Sequence, residues 1–197
     1  MVEIDLSGRT AVVAGSTSGV GRAIARELAE HGASVVVNGR TPERGKETVD
    51  ELEALGADAT FERADINEYG EVQRLMENAA DTFGGIDIVV PNGAAAAAPV
   101  PNFFRDTDIE ELETWTHLAY LNRLYCIKAA LEHLIEIDDG RVVSITADAG
   151  LVPTPAEVGP GGAGAAVMMA TRVLGHELAR WEITVNAVSI SVTSDTP

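Results

Sequence analysis

Apolar residues run along this chain in two alternating patterns. Short runs of strand length, Thr10-Ala11-Val12-Val13-Ala14, Ala33-Ser34-Val35-Val36-Val37, residues 58–64, Ile86 to Val90 and Arg141-Val142-Val143-Ser144-Ile145, are bounded by glycine or polar residues, and a sixth begins at Ile183-Thr184-Val185-Asn186. Between them lie stretches with helical spacing. Residues 20–30 place Ile24 and Leu28 on one face, Thr41 and Pro42 cap and open the next helix, and a third runs from about 67 to 83, where Gly84-Gly85 stops it. Trp115, Leu118, Leu121, Leu124, Ile127, Leu131 and Leu134 space a long helix over about 108–137. A last helix extends over about 163–181. Its start is expected near Ala163, because each glycine of Pro160-Gly161-Gly162-Ala163-Gly164 costs about 1 kcal/mol relative to alanine inside a helix. Strand and helix alternating in this way predict an α/β domain around a parallel, doubly wound sheet, with ligands at the carboxyl ends of the strands. With 197 residues, the chain reads as a single domain over 1–197.

The first strand leads into its helix through Ala14-Gly15-Ser16-Thr17-Ser18-Gly19-Val20-Gly21. In that setting Gly15 permits a tight turn, Gly19 lets backbone approach a pyrophosphate and Gly21 lets helix pack on strand, while the free N–H groups of the helix face an anion. This is the arrangement of a dinucleotide-binding turn. After the second strand, dinucleotide folds that take NAD carry an acidic residue for the ribose hydroxyls; here Gly39 stands at that place and Arg40 follows. Arg40 reads either as a solvated loop residue or as the partner of a 2′-phosphate. The second reading predicts NADP(H) over NAD(H), with Ser16 as a second contact to the phosphate.

The glycine spacing, three residues between the first pair and one between the second, together with Asp65-Ile66, Pro91-Asn92-Gly93-Ala94, Leu121-Asn122, Gly140 to Ile145 and Ile183 to Asn186, resembles the short-chain dehydrogenase/reductase family over almost the whole chain. The resemblance implies a Rossmann-like doubly wound parallel sheet in the order 3-2-1-4-5-6 with helices on both faces. It implies that Asp65 and Ile66 contact adenine and that Asn92 lines the cofactor, although Pro91 and Gly93 depart from the family's Asn-Asn-Ala-Gly. Asp65 also reads as a cap for the helix that follows. Asn122 matches the family's active-site asparagine, which holds a water in the proton relay through a local helix distortion. The alanine run 94–98, bracketed by prolines, reads as a loop beside the cofactor.

The family's catalytic trio departs from this pattern. A gap-free alignment puts Ala147 at the position of the substrate-orienting serine, Pro160 at that of the acid–base tyrosine and Gly164 at that of the lysine that tunes it. Thr146 neighbours the serine position but faces the other way in an extended segment. Tyr125, three residues after Asn122 on the same helix face, is the one surrogate acid in view. After the sixth strand Ile190-Ser191 replaces the family's Pro-Gly, and the chain stops at Pro197, before the lid and seventh strand that the family leads one to expect. The resemblance thus implies an NADP(H)-binding oxidoreductase acting on a carbonyl or alcohol, with impaired turnover; a non-catalytic regulatory or partner subunit is the alternative.

The formal charge of −17 argues against nucleic-acid and anionic-membrane partners. So many acids beside only two lysines, Lys46 and Lys128, resemble surfaces adapted to a high-salt cytoplasm, and predict stabilisation by molar salt. No stretch reads as a membrane span or a signal peptide, so a cytoplasmic protein is expected. Cys126 is the only cysteine, which excludes an internal disulfide and a cysteine-based zinc site; no metal ligand set is expected. The resemblance also implies self-association, as a homodimer or tetramer or with an intact relative, through the helices at about 108–137 and 163–181.

Overall fold

The computed structural model describes residues 4–93 and 98–191. Its strands are β1 (Thr10–Val13), β2 (Ser34–Gly39), β3 (Ala59–Arg63), β4 (Ile88–Val90), β5 (Arg141–Ala147) and β6 (Thr184–Ile190). All pairs are parallel and the order is β3-β2-β1-β4-β5-β6, as expected. Strands buried on both faces read as continuous apolar runs, and here the alternation sorts them: Val12, Val36 and Val89 point into one core, Val13, Val35 and Val37 into the other. The helices α1 (Gly19–Glu30) and α2 (Pro42–Ala54) cover the second core through Ala25, Ala29 and Leu52. The helices α3 (Tyr69–Phe83) and α5 (Asn122–Ile137), with the end of α6 (Val158–Leu178), close the first through Val72, Met76, Cys126, Leu134 and Leu178. Burial pushes the Cys126 thiol up to about 12, so it packs as an uncharged side chain.

Several local expectations are corrected. Pro42 opens α2, but the Thr41 hydroxyl makes no capping bond. Asp65 does not cap α3, which begins at Tyr69 behind Glu68; its carboxylate instead accepts the backbone and side-chain N–H of Asn67, at 3.0 and 2.8 Å. The long pattern 108–137 is two helices, α4 (Ile109–Thr116) and α5, joined by a π-turn over His117–Leu121. The Asn122 amide explains the widening: its Nδ2 donates to Leu118 O at 2.6 Å.

The helix α6 starts at Val158 rather than near Ala163. Tertiary contact outweighs glycine propensity there. The Trp115 indole lies where a side chain on Gly159 would be, at 2.5 Å from its Cβ position, and Ala149 O stands 2.9 Å from that of Gly161. Pro160 falls in the first turn, where its missing N–H would have had no partner inside the helix.

At the amino edge of the sheet one arginine joins three strands. Arg9 reaches Asp87 at 2.7 Å and Asp139 at 2.6 Å, Asp87 also accepts Thr10 N at 2.8 Å, and Arg141 pairs with Asp139 from the other side. This cluster fixes the strand starts; the carboxyl edge is left for the site.

Candidate functional site

The turn after β1 is built around two close approaches. Gly15 has φ of +63° and a Cβ on it would stand 2.7 Å from Gly93 Cα; one on Gly21 would stand 2.2 Å from Gly15 O and 2.5 Å from Asn92 Nδ2. The Asn92 amide completes the arrangement by donating to Ala14 O at 3.3 Å and Gly15 O at 3.2 Å. No side chain caps the first turn of α1, so Gly19, Val20 and Gly21 offer a bare helix N-terminus at this edge.

Ser16 does something other than expected. It is fully buried, its hydroxyl donates to Val13 O at 2.6 Å and accepts Asn38 N at 3.0 Å. Those bonds hold the turn and leave the hydroxyl no freedom to reach a phosphate. Thr17 takes the outer position instead, its side chain lying on Gly39, whose Cβ would meet it at 2.6 Å. Arg40 follows on the surface, 58% exposed at its side chain and 3.8 Å from the Asp65 carboxylate. The Ile66 side chain reaches to 3.6 Å from the Cβ position of Gly93. The carboxyl ends of β1, β2, β3 and β4 thereby bring Gly15, Gly19, Val20, Gly21, Arg40, Asp65, Ile66 and Asn92 to one edge.

Asn122 joins this edge through Asn67, donating to its Oδ1 at 3.2 Å while Asn67 in turn donates to Asp65. On its other side Asn122 Oδ1 accepts Arg123 Nη1 at 2.7 Å. Tyr125 does not face the carboxyl end of β5. Its ring packs against Tyr69 of α3, centroids 5.4 Å apart, and edge-on to His117 at 6.0 Å, which removes it as a surrogate acid there. Three contributors are not singled out by the motifs of the sequence: Asn38, Thr17 and Arg123. The one signal for Asn38 and Arg123 is a polar residue interrupting an apolar run.

At the end of β5, Ala147 passes into a 3₁₀ turn over Asp148–Gly150, and α6 rests directly on that turn. A Cβ on Gly150 would stand 2.5 Å from Ala165 N, and one on Gly164 would stand 3.0 Å from Ala147 O. Pro160 is buried and, with Trp115, Glu111 and Asn102, lines a shallow cleft beside the turn. The alanines 94–97 of the run after β4 lie outside the described residues. Among the described residues no group of His, Cys, Asp and Glu could hold a metal ion, and no helix is long and apolar enough to cross a membrane.

Known proteins share this fold. The chain is 31% identical over 185 residues to a D-beta-hydroxybutyrate dehydrogenase of Rhizobium meliloti, covering 91% of this chain and 69% of that one. It is 32% identical to a 3-oxoacyl-[acyl-carrier-protein] reductase of Synechocystis, covering 93% and 74%. The solved structure of a dehydrogenase/reductase from Sinorhizobium meliloti superposes with a TM-score of 0.90 at 29% identity, over 98% of this chain and 75% of that one. A 7 alpha-hydroxysteroid dehydrogenase solved with NADH superposes at 0.89, with 25% identity, over 95% and 72%. The family model described as short chain dehydrogenase matches residues 9–197, and the parallel sheet order agrees with it: the chain belongs to the short-chain dehydrogenase/reductase family of nicotinamide-dependent oxidoreductases.

Proposed function

We propose that this chain binds NADP(H) along the carboxyl edge of β1 to β4 and is strongly impaired in hydride transfer between carbonyl and alcohol. Arg40 supports the phosphate preference: it is largely exposed and paired only loosely with Asp65, while Gly39 brings no carboxylate to the ribose hydroxyls. The Thr17 hydroxyl beside Gly39 adds a donor at the same place. The residues present fit the dinucleotide, since the turn packed on Gly93 and Asn92 leaves the first turn of α1 uncapped, with free N–H groups for a pyrophosphate. When bound, the cofactor would supply the hydride chemistry. Gly15, Gly19, Val20 and Gly21 would hold its pyrophosphate and Asp65 and Ile66 its adenine, with Ser16 and Asn92 shaping the turn from behind.

The observation that carries the impairment is the contact of α6 with the end of β5. The acid position is Pro160, the hydroxyl position Ala147, and α6 at Gly164 lies against Ala147 O where a lysine stem would pass. A positioned acid contributes about 10²–10⁴ in rate, and nothing in this segment replaces it. Titration with NADPH and NADH, followed by turnover on a panel of ketones and alcohols, tests the reading. NADPH binding without turnover is the expected result and fits a non-catalytic subunit; a preference for NADH, or turnover at the rate of ordinary reductases, overturns it.

Self-association through the helices at about 108–137 (α4 and α5) and 163–181 (α6) is favoured, on the α6 side, by a separate observation. Leu151, Val152, Val158, Met169 and Val173 put exposed apolar side chains on α6 and the segment before it. Light scattering in low and high salt decides this, a monomer at micromolar concentration being the contrary result.

A further inference from the structure

The strand β3 lies at the edge of the sheet, and its last residue, Arg63, pairs in register with Gly39 at the end of β2. Register partners on neighbouring strands point to the same face, so Arg63 projects on the side where a side chain on Gly39 would stand. The register pair two residues earlier, Val37 and Phe61, marks that face as the one covered by α1 and α2. Gly39 leaves its place to Thr17, whose Oγ1 would be 2.9 Å from a Cβ there. Arg63 is exposed, as charged residues on edge strands commonly are, yet its side chain is folded back over the end of β2: Nε donates to Arg40 O at 3.2 Å. The guanidinium is thereby drawn toward Arg40 and Gly39.

Two arginines therefore meet at one strand end, and among the described residues neither has a close carboxylate. Arg40 stands 3.8 Å from Asp65, whose Oδ1 is already taken by Asn67, and Arg63 makes no ion pair. A chain with 31 acidic and 14 basic side chains makes such pairs readily elsewhere, as Arg22 with Glu51 and Arg9 with Asp87 show. Like charges gathered without close partners repel each other, and a dianion between them relieves both.

We infer that Arg63 is a specificity-determining residue: with Arg40 and the Thr17 hydroxyl it forms a clamp for an adenosine 2′-phosphate. The inference rests on the NADP(H) reading above and adds to it a second guanidinium, supplied by a different strand. Arg63 has two separable duties there. Nε holds the Arg40 carbonyl and so fixes the chain at the end of β2, while the Nη groups, without a hydrogen-bond partner among the described residues, bring charge and donors to the phosphate.

Calorimetric titration of the whole chain with 2′,5′-ADP and with 5′-AMP tests this without any turnover, because the two probes differ only in the 2′-phosphate. Arg63→Gln separates the duties: glutamine puts an amide nitrogen where Nε stands, keeping a donor for Arg40 O, and removes the charge. It is expected to weaken 2′,5′-ADP about tenfold, the effect of one charge-assisted hydrogen bond at an exposed place, and to leave 5′-AMP unchanged. Arg63→Ala, which loses both duties, should bind 2′,5′-ADP no better than Arg63→Gln. Arg63→Lys, which keeps the charge without the planar fork, should fall between Arg63→Gln and the unmodified chain. The side chain is exposed, so these changes remove no core packing, and an unchanged Tm shows that each variant is folded. If Arg63→Gln binds 2′,5′-ADP as tightly as the unmodified chain, or loses 5′-AMP to the same degree, Arg63 only supports the loop and the inference is overturned while the cofactor reading stands. If the unmodified chain does not prefer 2′,5′-ADP over 5′-AMP, the NADP(H) reading itself falls, and the inference with it.

Discussion

Ser16 and Asn38 hold each other by two backbone-anchored hydrogen bonds, Ser16 N donating to Asn38 O at 2.9 Å and Asn38 N donating to Ser16 Oγ at 3.0 Å. The glycine turn and the end of β2 are therefore one rigid piece. The Asn38 side chain extends it, accepting Gly15 N at 3.2 Å and donating to Glu62 O and Ala64 O at 3.1 and 3.2 Å. Asn38→Ala leaves these backbone groups without partners in a site 1% exposed. A loss of about 2–4 kcal/mol in urea unfolding is expected, together with weaker NADPH binding. An unchanged midpoint would mean that the turn holds its shape without β2.

Arg40→Ala separates the two cofactors. A charge-assisted bond to a 2′-phosphate is worth about 1.5–3 kcal/mol, so NADPH affinity should fall by about 10- to 100-fold while that for NADH stays near its original value. The Arg40–Asp65 pair confuses the comparison little, since an ion pair this open contributes at most about 1 kcal/mol. Equal losses for both cofactors, measured by titration, would show that Arg40 does not read the phosphate.

Gly150→Ala tests the contact of α6 with the turn after β5. The new Cβ would stand 2.5 Å from Ala165 N and 2.6 Å from Gly164 C, both backbone atoms, so the helix has to move. Overpacking of this kind costs about 1–3 kcal/mol, seen as a lowered Tm. Gly162→Ala, which meets nothing within 4 Å, is the control and should stabilise through helix propensity. Matching effects at the two positions would count against the close packing.

How much of this was legible in the residues depends on whether a feature is local. β1, β2 and β4 read plainly because strands buried on both faces are unbroken apolar runs. Gly15, Gly21 and Arg40 read from their places relative to strand ends. The start of α6 did not, because its glycines are chosen by neighbours far along the chain, Trp115 over Gly159 and Ala149 under Gly161. Ser16, Tyr125 and Arg123 show the same limit. Side-chain type tells what a group can bond, but Val13 O, Tyr69 and Ile145 O decide what it does bond, and only the fold brings those within reach.

Stability should decline in acid in part through Asp139. Hydrogen bonds from Arg141 and then Arg9 hold its carboxyl below the ordinary range. A carboxylate whose folded value is depressed contributes stability that is present above its unfolded value, about 3.9, and is lost as pH falls through the folded one. Urea midpoints measured between neutral pH and strong acid should drop below about pH 4, with a shallower slope in Asp139→Asn. Parallel slopes for the two proteins would sink this assignment.

Catalysis is the sharpest case. Hydroxyl, acid and cation act as a unit, so losing all three costs little more than losing one, and restoring one restores little. Pro160→Tyr alone is accordingly expected to leave carbonyl reduction near its starting level. The triple change Ala147→Ser, Pro160→Tyr and Gly164→Lys has a structural obstacle as well. The lysine Cβ would stand 3.0 Å from Ala147 O and 3.3 Å from Gly150 N, contacts with backbone, so α6 must lift by a few tenths of an ångström before the ammonium can be placed. The triple variant should therefore bind NADPH and gain activity only where its Tm shows that the helix has accommodated the side chain. Steady-state rates for the unmodified protein and both variants check the sequence of effects. Robust turnover by the unmodified chain, abolished by Tyr125→Phe or Asn122→Ala, would overturn the impaired reading and locate the proton source on α5 instead.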